Sequence, residues 1–594
     1  MREVAAGVAV LAAACLVAAG SGDSAPPAAA QGGGASAKPN VVVVMSDDQT
    51  QASMAQMPRT QSLLGDRGTT FANNFTNWPL CCPSRATYLT GQYAHNHQVL
   101  GNAPPQGGFD RLNLAETLPV WLQRSGYYTA HIGKFLNGYE SSAIGVPDGW
   151  SEWHGSKRTY TFYGYQLLED GQINTYGSTN FNPDAPANPA LYSTDVYTDK
   201  AVELIGRRAP ERQPFFLSVA YLAPHSGGPN AGPNETESRC ETTAKPALRH
   251  IGAFGSEPLP TPPNFNEADV ADKPQGLATR PALTEAQIAE TTRDYRCRLE
   301  SLLAIDEGIE RIVNALEASG ELDNTVFVYT ADNGFFHGEH RIMNGKNRVY
   351  DEAIRVPMLI RGPGVAEGKT VTDLSANADI APTVLDAAGA TAGLAVDGRS
   401  LLPSAKHPER LRGRELLVEQ YTSADDEGGI PGVVYSAVRN ARYAYVENGT
   451  GEVELYDMEL DPFQLTNVAG NPVYAAARAA LAARLASLRT CTGPGCRQKP
   501  SLKLKLPRSQ RENGRSCRSA KDFLARVRGP DSATLTEVTF RVGAKLDSSD
   551  RAGPFTKILR PKLLRRGRKP EIRAIAETLD GRALSLQKAI RICD

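Results

Sequence analysis

The 594-residue chain carries 64 Lys and Arg against 65 Asp and Glu, and 41% of it is hydrophobic. That is the composition of an ordinary globular protein, long enough for about two to four domains. It excludes a membrane bundle: the one long apolar run, Val4 to Ala19, is shorter than the roughly twenty residues a span needs.

In chain order, Arg2 and the apolar run lead into a Ser-, Pro-, Ala- and Gly-rich stretch ending near Lys38, so residues 1–37 read as an export signal and linker. Cys15, after Leu11-Ala12-Ala13-Ala14, leaves a lipoprotein site open. Ala12 fits that pattern poorly, and ordinary secretion is the preferred reading. Both place the chain outside the cytoplasm, secreted or held at the envelope.

Four apolar runs then each end at polar residues. Val41 to Met45 precedes Asp47-Asp48, Tyr127 to Ile132 precedes Gly133-Lys134, Phe215 to Tyr221 precedes Pro224-His225, and Thr325 to Thr330 precedes Asp332-Asn333. Helical patterns lie between them at Ser193 to Arg207 and Thr284 to Ser319. Alternating strands and helices predict an α/β fold with a mostly parallel sheet covered on both faces. Ligands of such sheets bind beyond the carboxyl ends of the strands, where these four runs deliver their polar groups.

From Ser226 to Ala282 a Pro-, Gly- and Asn-rich segment reads either as a lid or substrate wall or as disorder. After about Glu415 short runs at Tyr435 to Arg439, Tyr443 to Glu447 and Glu452 to Tyr456 predict antiparallel strands, followed by a helix from Asn471 to Arg489. The expected domains are therefore residues 38–415 (catalytic α/β), 416–496 (antiparallel sheet and helix) and 497–594. In the last, Lys and Arg outnumber Asp and Glu by about fifteen. Its alternating patterns at Thr534 to Val542, Lys557 to Leu559, Glu571 to Glu577 and Ala583 to Ile592 predict a small β-sandwich. Its charge suits either an anionic glycan or envelope polymer, or merely a solvated surface.

Nine cysteines fit an oxidising compartment. Cys491 with Cys496, Cys517 with Cys593 and Cys240 with Cys297 are the expected bridges, although spacing alone leaves connectivity open. Cys81 and Cys82 stand apart, because adjacent cysteines bridge each other badly.

Those two begin Cys81-Cys82-Pro83-Ser84-Arg85, followed after three residues by Leu89-Thr90-Gly91. The stretch resembles the signature of the type I sulfatases, whose first cysteine is oxidised to formylglycine. The resemblance implies that Cys81 is so modified by a formylglycine-generating enzyme. It also implies an alkaline-phosphatase/sulfatase-like fold with a smaller antiparallel C-terminal subdomain. Asp47, Asp48, Asp332 and Asn333 form an all-oxygen set suited to a hard dication, although such pairs also serve as turn or cap residues. In the family they match the calcium ligands, completed by residue 81. Arg85, Lys134, Lys346 and His225 match the cations around the sulfate and the leaving oxygen. The implied reaction is attack on sulfur by hydrated formylglycine with Asp48 as base, His225 or Lys346 assisting the departing alcohol. A sulfate ester is left on residue 81, from which the second hydroxyl expels sulfate.

Gly133-Lys134-Phe135-Leu136-Asn137, Tyr93 to His97 and Gly149 to Trp153 resemble the glucosamine-6-sulfatase branch. The resemblance runs from about Pro39 to Leu488 and implies sulfated sugars, of N-acetylglucosamine 6-sulfate type, as substrates. Leu136 stands where many sulfatases carry a histidine, leaving His337, His340 and His154 as alternatives for its proton transfer. Two rival functions stand beside it: an arylsulfatase or phosphonate/phosphodiester hydrolase of the same superfamily, and an inactive glycan-binding protein.

Overall fold

The computed structural model describes residues 38–177, 188–227, 240, 243–421, 434–521, 523–564 and 568–593. The export signal, Cys15 and part of the expected lid fall outside these residues. Among the described residues, no helix is long and apolar enough to cross a membrane.

Four parallel strands form the middle of a ten-stranded sheet: β1 (Asn40–Ser46), β2 (Tyr128–Gly133), β3 (Phe215–Ala220) and β4 (Thr325–Ala331), in the order β4-β1-β3-β2. β1 is buried on both faces, as its run of valines predicts. Val42 and Val44 pack towards α2 (Ser193–Arg208) and the 34-residue α3 (Glu285–Ala318). Val41, Val43 and Met45 pack towards the other core, which includes Ala86 and Leu89 of α1 (Cys81–Thr90). β1 pairs in register with both neighbours, Val41 facing Phe216 on one side and Val326 on the other. The four strands therefore end at one edge.

Beyond this parallel centre the sheet turns partly antiparallel, through Met358–Arg361 against β4 on one side and the strands Tyr165–Glu169 and Gln172–Tyr176 on the other. A separate four-stranded antiparallel sheet starts at Glu415–Gln420 and continues through Tyr435–Asn440, Tyr443–Asn448 and Val453–Asp457. The following helix spans Ala475–Leu488. Its first predicted turn is instead a 3-10 turn, Pro472–Tyr474, capped by the Asn471 side chain.

The C-terminal strands form four- and three-stranded antiparallel sheets around one apolar core that includes Phe523, Phe540, Ile572 and Ile592. All three expected disulfides are present, Cys240–Cys297, Cys491–Cys496 and Cys517–Cys593, while Cys81 and Cys82 are free and buried.

Candidate active site

The edge where β1 to β4 end gathers all nine site residues expected from the sequence. Asp48 has φ 64°, and its backbone N–H donates to Asp332 Oδ1 at 3.0 Å, tying the end of β1 to the end of β4. Asparagine and aspartate tolerate that left-handed conformation better than other side chains. At the end of β2, Gly133 has φ 100°, and a Cβ there would come within 2.1 Å of the Ala220 carbonyl. Only glycine lets β2 approach β3 so closely, and the next N–H, that of Lys134, donates to the same carbonyl at 2.9 Å.

Cys81 is the first residue of α1, whose ten residues are all buried. Pro83 fits because the first helical turn does not use its N–H groups within the helix. The Cys81 Sγ lies 3.0 Å from Lys346 Nζ and 3.6 Å from Asp47 Oδ1. Lys346 comes from a loop fastened to the residues before α1: Asn347 N–H donates to the Pro79 carbonyl at 3.0 Å, and Trp78 Nε1 donates to Asn347 Oδ1 at 3.2 Å.

The carboxylates and cations interlock. Arg85 donates from Nε to Asp332 Oδ2 at 2.9 Å and lies 3.3 Å from Asp47 Oδ2. Lys134 pairs with Asp47. Lys346 lies 2.5 Å from Asp48 Oδ1, which also accepts from Asn333 Nδ2 at 2.7 Å. His225 donates from Nδ1 to the Ser226 carbonyl at 2.8 Å, which places Nε2 3.7 Å from Asp48 Oδ2. Burial alone would raise the Asp47 pKa, but Lys134, His225, Arg85 and Lys346 outweigh it and hold the carboxyl well below its ordinary range. Asp332 is pushed the other way, by burial and then by the Asp47 charge. Burial likewise pushes the unmodified Cys81 thiol up.

The oxygens of Asp47, Asp48 and Asn333 fit a hard dication, whereas the unmodified Cys81 sulfur and the His225 nitrogen beside them do not. Single donor atoms of Asp47, Asp48, Cys81 and His225 lie within 4.8 Å of one another, all four residues buried. Asn333 Oδ1 is buried with no hydrogen-bond partner, an orphaned acceptor of the kind an oxygen-seeking cation satisfies. Asp332 already accepts three bonds, from the N–H groups of Asp48 and Asn333 on Oδ1 and from Arg85 on Oδ2, which leaves about one of its four lone pairs for a cation.

The three histidines considered for position 136 part company. His154 is held between Glu152 and Glu169, and His340 pairs with Glu267 at 2.7 Å. His337 lines a cavity of about 640 Å³ beside Thr50, Tyr295 and Phe335. Leu136 itself is buried in the apolar core with Phe135 and Trp153.

Several further participants have no role in the sequence reading, although Ser84 and Asn137 lie within its motifs. Arg298 donates to the Asp48 carbonyl at 2.6 Å and stacks on Phe335. Ser84 and Asn377 donate to the Asp332 carbonyl at 2.6 and 3.1 Å. Tyr160 packs its ring on His225 and under Lys134, and accepts from Asn137 Nδ2 at 2.6 Å. Arg298 left one signal, a charged residue one turn before Leu302 on the apolar stripe of α3.

Comparison with known proteins agrees with this geometry. The sulfatase family model matches residues 39–390, and the model described as N-sulphoglucosamine sulphohydrolase, C-terminal, matches residues 338–491. Human N-acetylglucosamine-6-sulfatase is 31% identical over 492 residues, covering 76% of this chain and 84% of the relative. A Caenorhabditis elegans protein described as a putative extracellular sulfatase Sulf-1 homolog is 36% identical over 60% of this chain, but the match spans only 48% of that relative. A protein solved in complex with its substrate D-glucosamine-2-N,6-O-disulfate superposes with a TM-score of 0.60 at 26% identity, covering 76% of this chain and 97% of that one. The phosphonate monoester hydrolase of Agrobacterium radiobacter shares the fold, with a TM-score of 0.54 at 21% identity over 76% of this chain and 95% of its own. With a complete signature at the head of α1, its cations and carboxylates converged, and a family match over more than half its length, the chain belongs to the sulfatase family and is a sulfuric ester hydrolase.

Proposed function

We propose that the protein releases sulfate from sulfated carbohydrates of the N-acetylglucosamine 6-sulfate type, with Cys81 oxidised to formylglycine and one Ca²⁺ held by Asp47, Asp48, residue 81, Asp332 and Asn333. The observation that carries this reading is the meeting of Cys81, at the first turn of α1, with Lys346 and Asp47 beside the other carboxylates. The human relative's name and the bound disulfate of the solved neighbour favour an amino-sugar substrate.

Once formed, the hydrated aldehyde supplies a hydroxyl nucleophile, and the cation supplies charge for the sulfuryl oxygens. The chain's own groups do the remainder. Asp48 accepts the nucleophile's proton. Lys134 and Lys346 hold the sulfuryl and leaving oxygens, where negative charge builds as the S–O bond breaks. His225 Nε2 delivers a proton to the departing alcohol, its ring fixed through Nδ1 by the Ser226 carbonyl. Arg85 stays on Asp47 and Asp332 and holds both in place. Burial alone would lower the guanidinium pKa, but the Asp332 and Asp47 charges outweigh it and raise it further, so it is charged at every working pH.

Secretion, with a leader in residues 1–37, is part of the proposal, and the three disulfides support it. Division into a catalytic part to residue 415, a second part to 496 and a basic tail is proposed as well, on the separate sheets and cores. A formylglycine-generating enzyme is then a required partner during maturation.

The test is a substrate panel with protein co-expressed with that enzyme: N-acetylglucosamine 6-sulfate, an aryl sulfate and a phosphate diester. The 6-sulfated sugar is expected to give the highest kcat/KM. Preference for the aryl sulfate removes the sugar assignment, and preference for the diester moves the enzyme to the phosphate side of the fold.

A further inference from the structure

A second basic feature lies outside the active site. A cleft of about 460 Å³ opens between residues 399–412 and the C-terminal strands, and its lining holds seven Lys or Arg and no Asp or Glu. Lys503 and Lys505 project from Lys503–Lys505 on one side of that strand while Leu504 between them is buried, so strand alternation aims both charges outward. Lys588 is exposed near the end of Ala583–Ala589, on the same rim. The opposite wall supplies Arg412 and Arg399. The two walls are joined by backbone, since Ser585 N–H donates to the Leu411 carbonyl at 2.8 Å.

Arg399 is the telling residue. Its Nη2 is buried with no hydrogen-bond partner, an expensive position for a cation. Asp373 and Asp379 behind it attract it electrostatically but give that donor no hydrogen bond: Asp379 takes Arg414 on both oxygens, and Asp373 accepts the Arg412 N–H at 2.9 Å. Burial, and then the Arg414 charge, bring the Arg399 guanidinium down to about 10. An anion in the cleft would satisfy that donor and relieve the repulsion among the cations.

The cleft is no part of the catalytic centre. The N–H groups of Asp397 and Gly398 donate to the Gly91 carbonyl, at the far end of the ten-residue helix that starts with Cys81. At 1.5 Å per residue that helix separates the two by roughly 15 Å.

We propose that this cleft binds a sulfated or carboxylated glycan chain, holding a polymer at a point remote from the sulfate being removed. The choice of a glycan among polyanions rests on the sulfated-sugar function proposed above. Binding is therefore measured on the full-length Cys81→Ala protein, which needs no turnover, so the two readings fail separately. The probe is heparin, immobilised for elution and in solution for titration. The variant Lys503→Glu/Lys505→Glu/Lys588→Glu reverses three exposed charges and is expected to bind about tenfold more weakly, since exposed pairs contribute modestly one by one. It should elute at lower NaCl with its melting temperature unchanged. Arg399→Gln, which keeps a donor but not the charge, should also weaken binding. In the modified, active background the triple variant should keep its kcat/KM on a 6-sulfated monosaccharide and lose it on a polymer. Heparin affinity unchanged in both variants overturns the proposal. Polyphosphate or DNA displacing heparin at equal charge concentration overturns the glycan assignment.

Discussion

Lys346 touches both the Cys81 sulfur and Asp48, so one buried ammonium neutralises a carboxylate and faces the reacting position. Replacing it with Met removes charge aimed at the developing anion, and kcat should fall about 10²–10³-fold. It also removes the buried ammonium paired with Asp48, so the metal-free variant should lose about 3 kcal/mol of stability in urea melts. A kcat loss below tenfold would mean that Lys346 only balances Asp48. His97 tests a different kind of burial. Its Nδ1 accepts the Val99 N–H at 3.1 Å, so the neutral ring carries its proton on Nε2, beside Thr87. Burial, and then His95, lower its pKa to about 3, below the ordinary 6.5. The unfolded chain therefore binds a proton there that the folded chain refuses, and stability is lost as pH falls from about 6.5 towards 3. His97→Asn retains an acceptor for Val99 and cannot titrate, so its stability should fall less steeply over that window. Equal slopes in wild type and variant would contradict the assignment.

The elements most legible in the sequence were those whose pattern serves one purpose along its whole length. The valines of β1 are buried on both faces, and the apolar stripe of α3 runs from the Thr284 cap to Ser319. Thr284 and Gln287 form a reciprocal capping box, and Thr284→Ala should cost about 1 kcal/mol in urea melts, with activity unchanged. Leu302→Ala, in the middle of the buried stripe, should cost about 3 kcal/mol. The short flanking strands Thr69–Phe71, Lys369–Val371 and Gln172–Tyr176 were not legible. Three residues carry too little periodicity, and Gln172–Tyr176 is largely exposed, so no apolar alternation marks it. The site divides the same way. Asp47, Asp48, Lys134, His225, Asp332 and Asn333 follow strands and could be placed at an edge by topology alone. Arg298, Asn377 and Tyr160 act through contacts with residues far away in the sequence, which no local pattern records.

Across the whole molecule, the active-site edge of the sheet and the basic cleft are separated by the length of α1 and serve different parts of one polymer substrate in this account. The proposed Ca²⁺ makes the edge testable by metal removal. Chelation should abolish sulfate release and lower the melting temperature by several degrees, because an ion bound only by the folded state stabilises it. Ca²⁺ should restore both; recovery with Zn²⁺ but not with Ca²⁺ would contradict the oxygen-ligand assignment. The central claim is that residue 81 acts as an aldehyde and not as a thiol. The direct measurement is peptide mass spectrometry of residue 81 paired with sulfate release, on preparations made with graded amounts of the formylglycine-generating enzyme and with Cys81→Ala as blank. The account predicts turnover proportional to the aldehyde fraction and none in the blank. Turnover independent of that fraction, or surviving in Cys81→Ala, would contradict it.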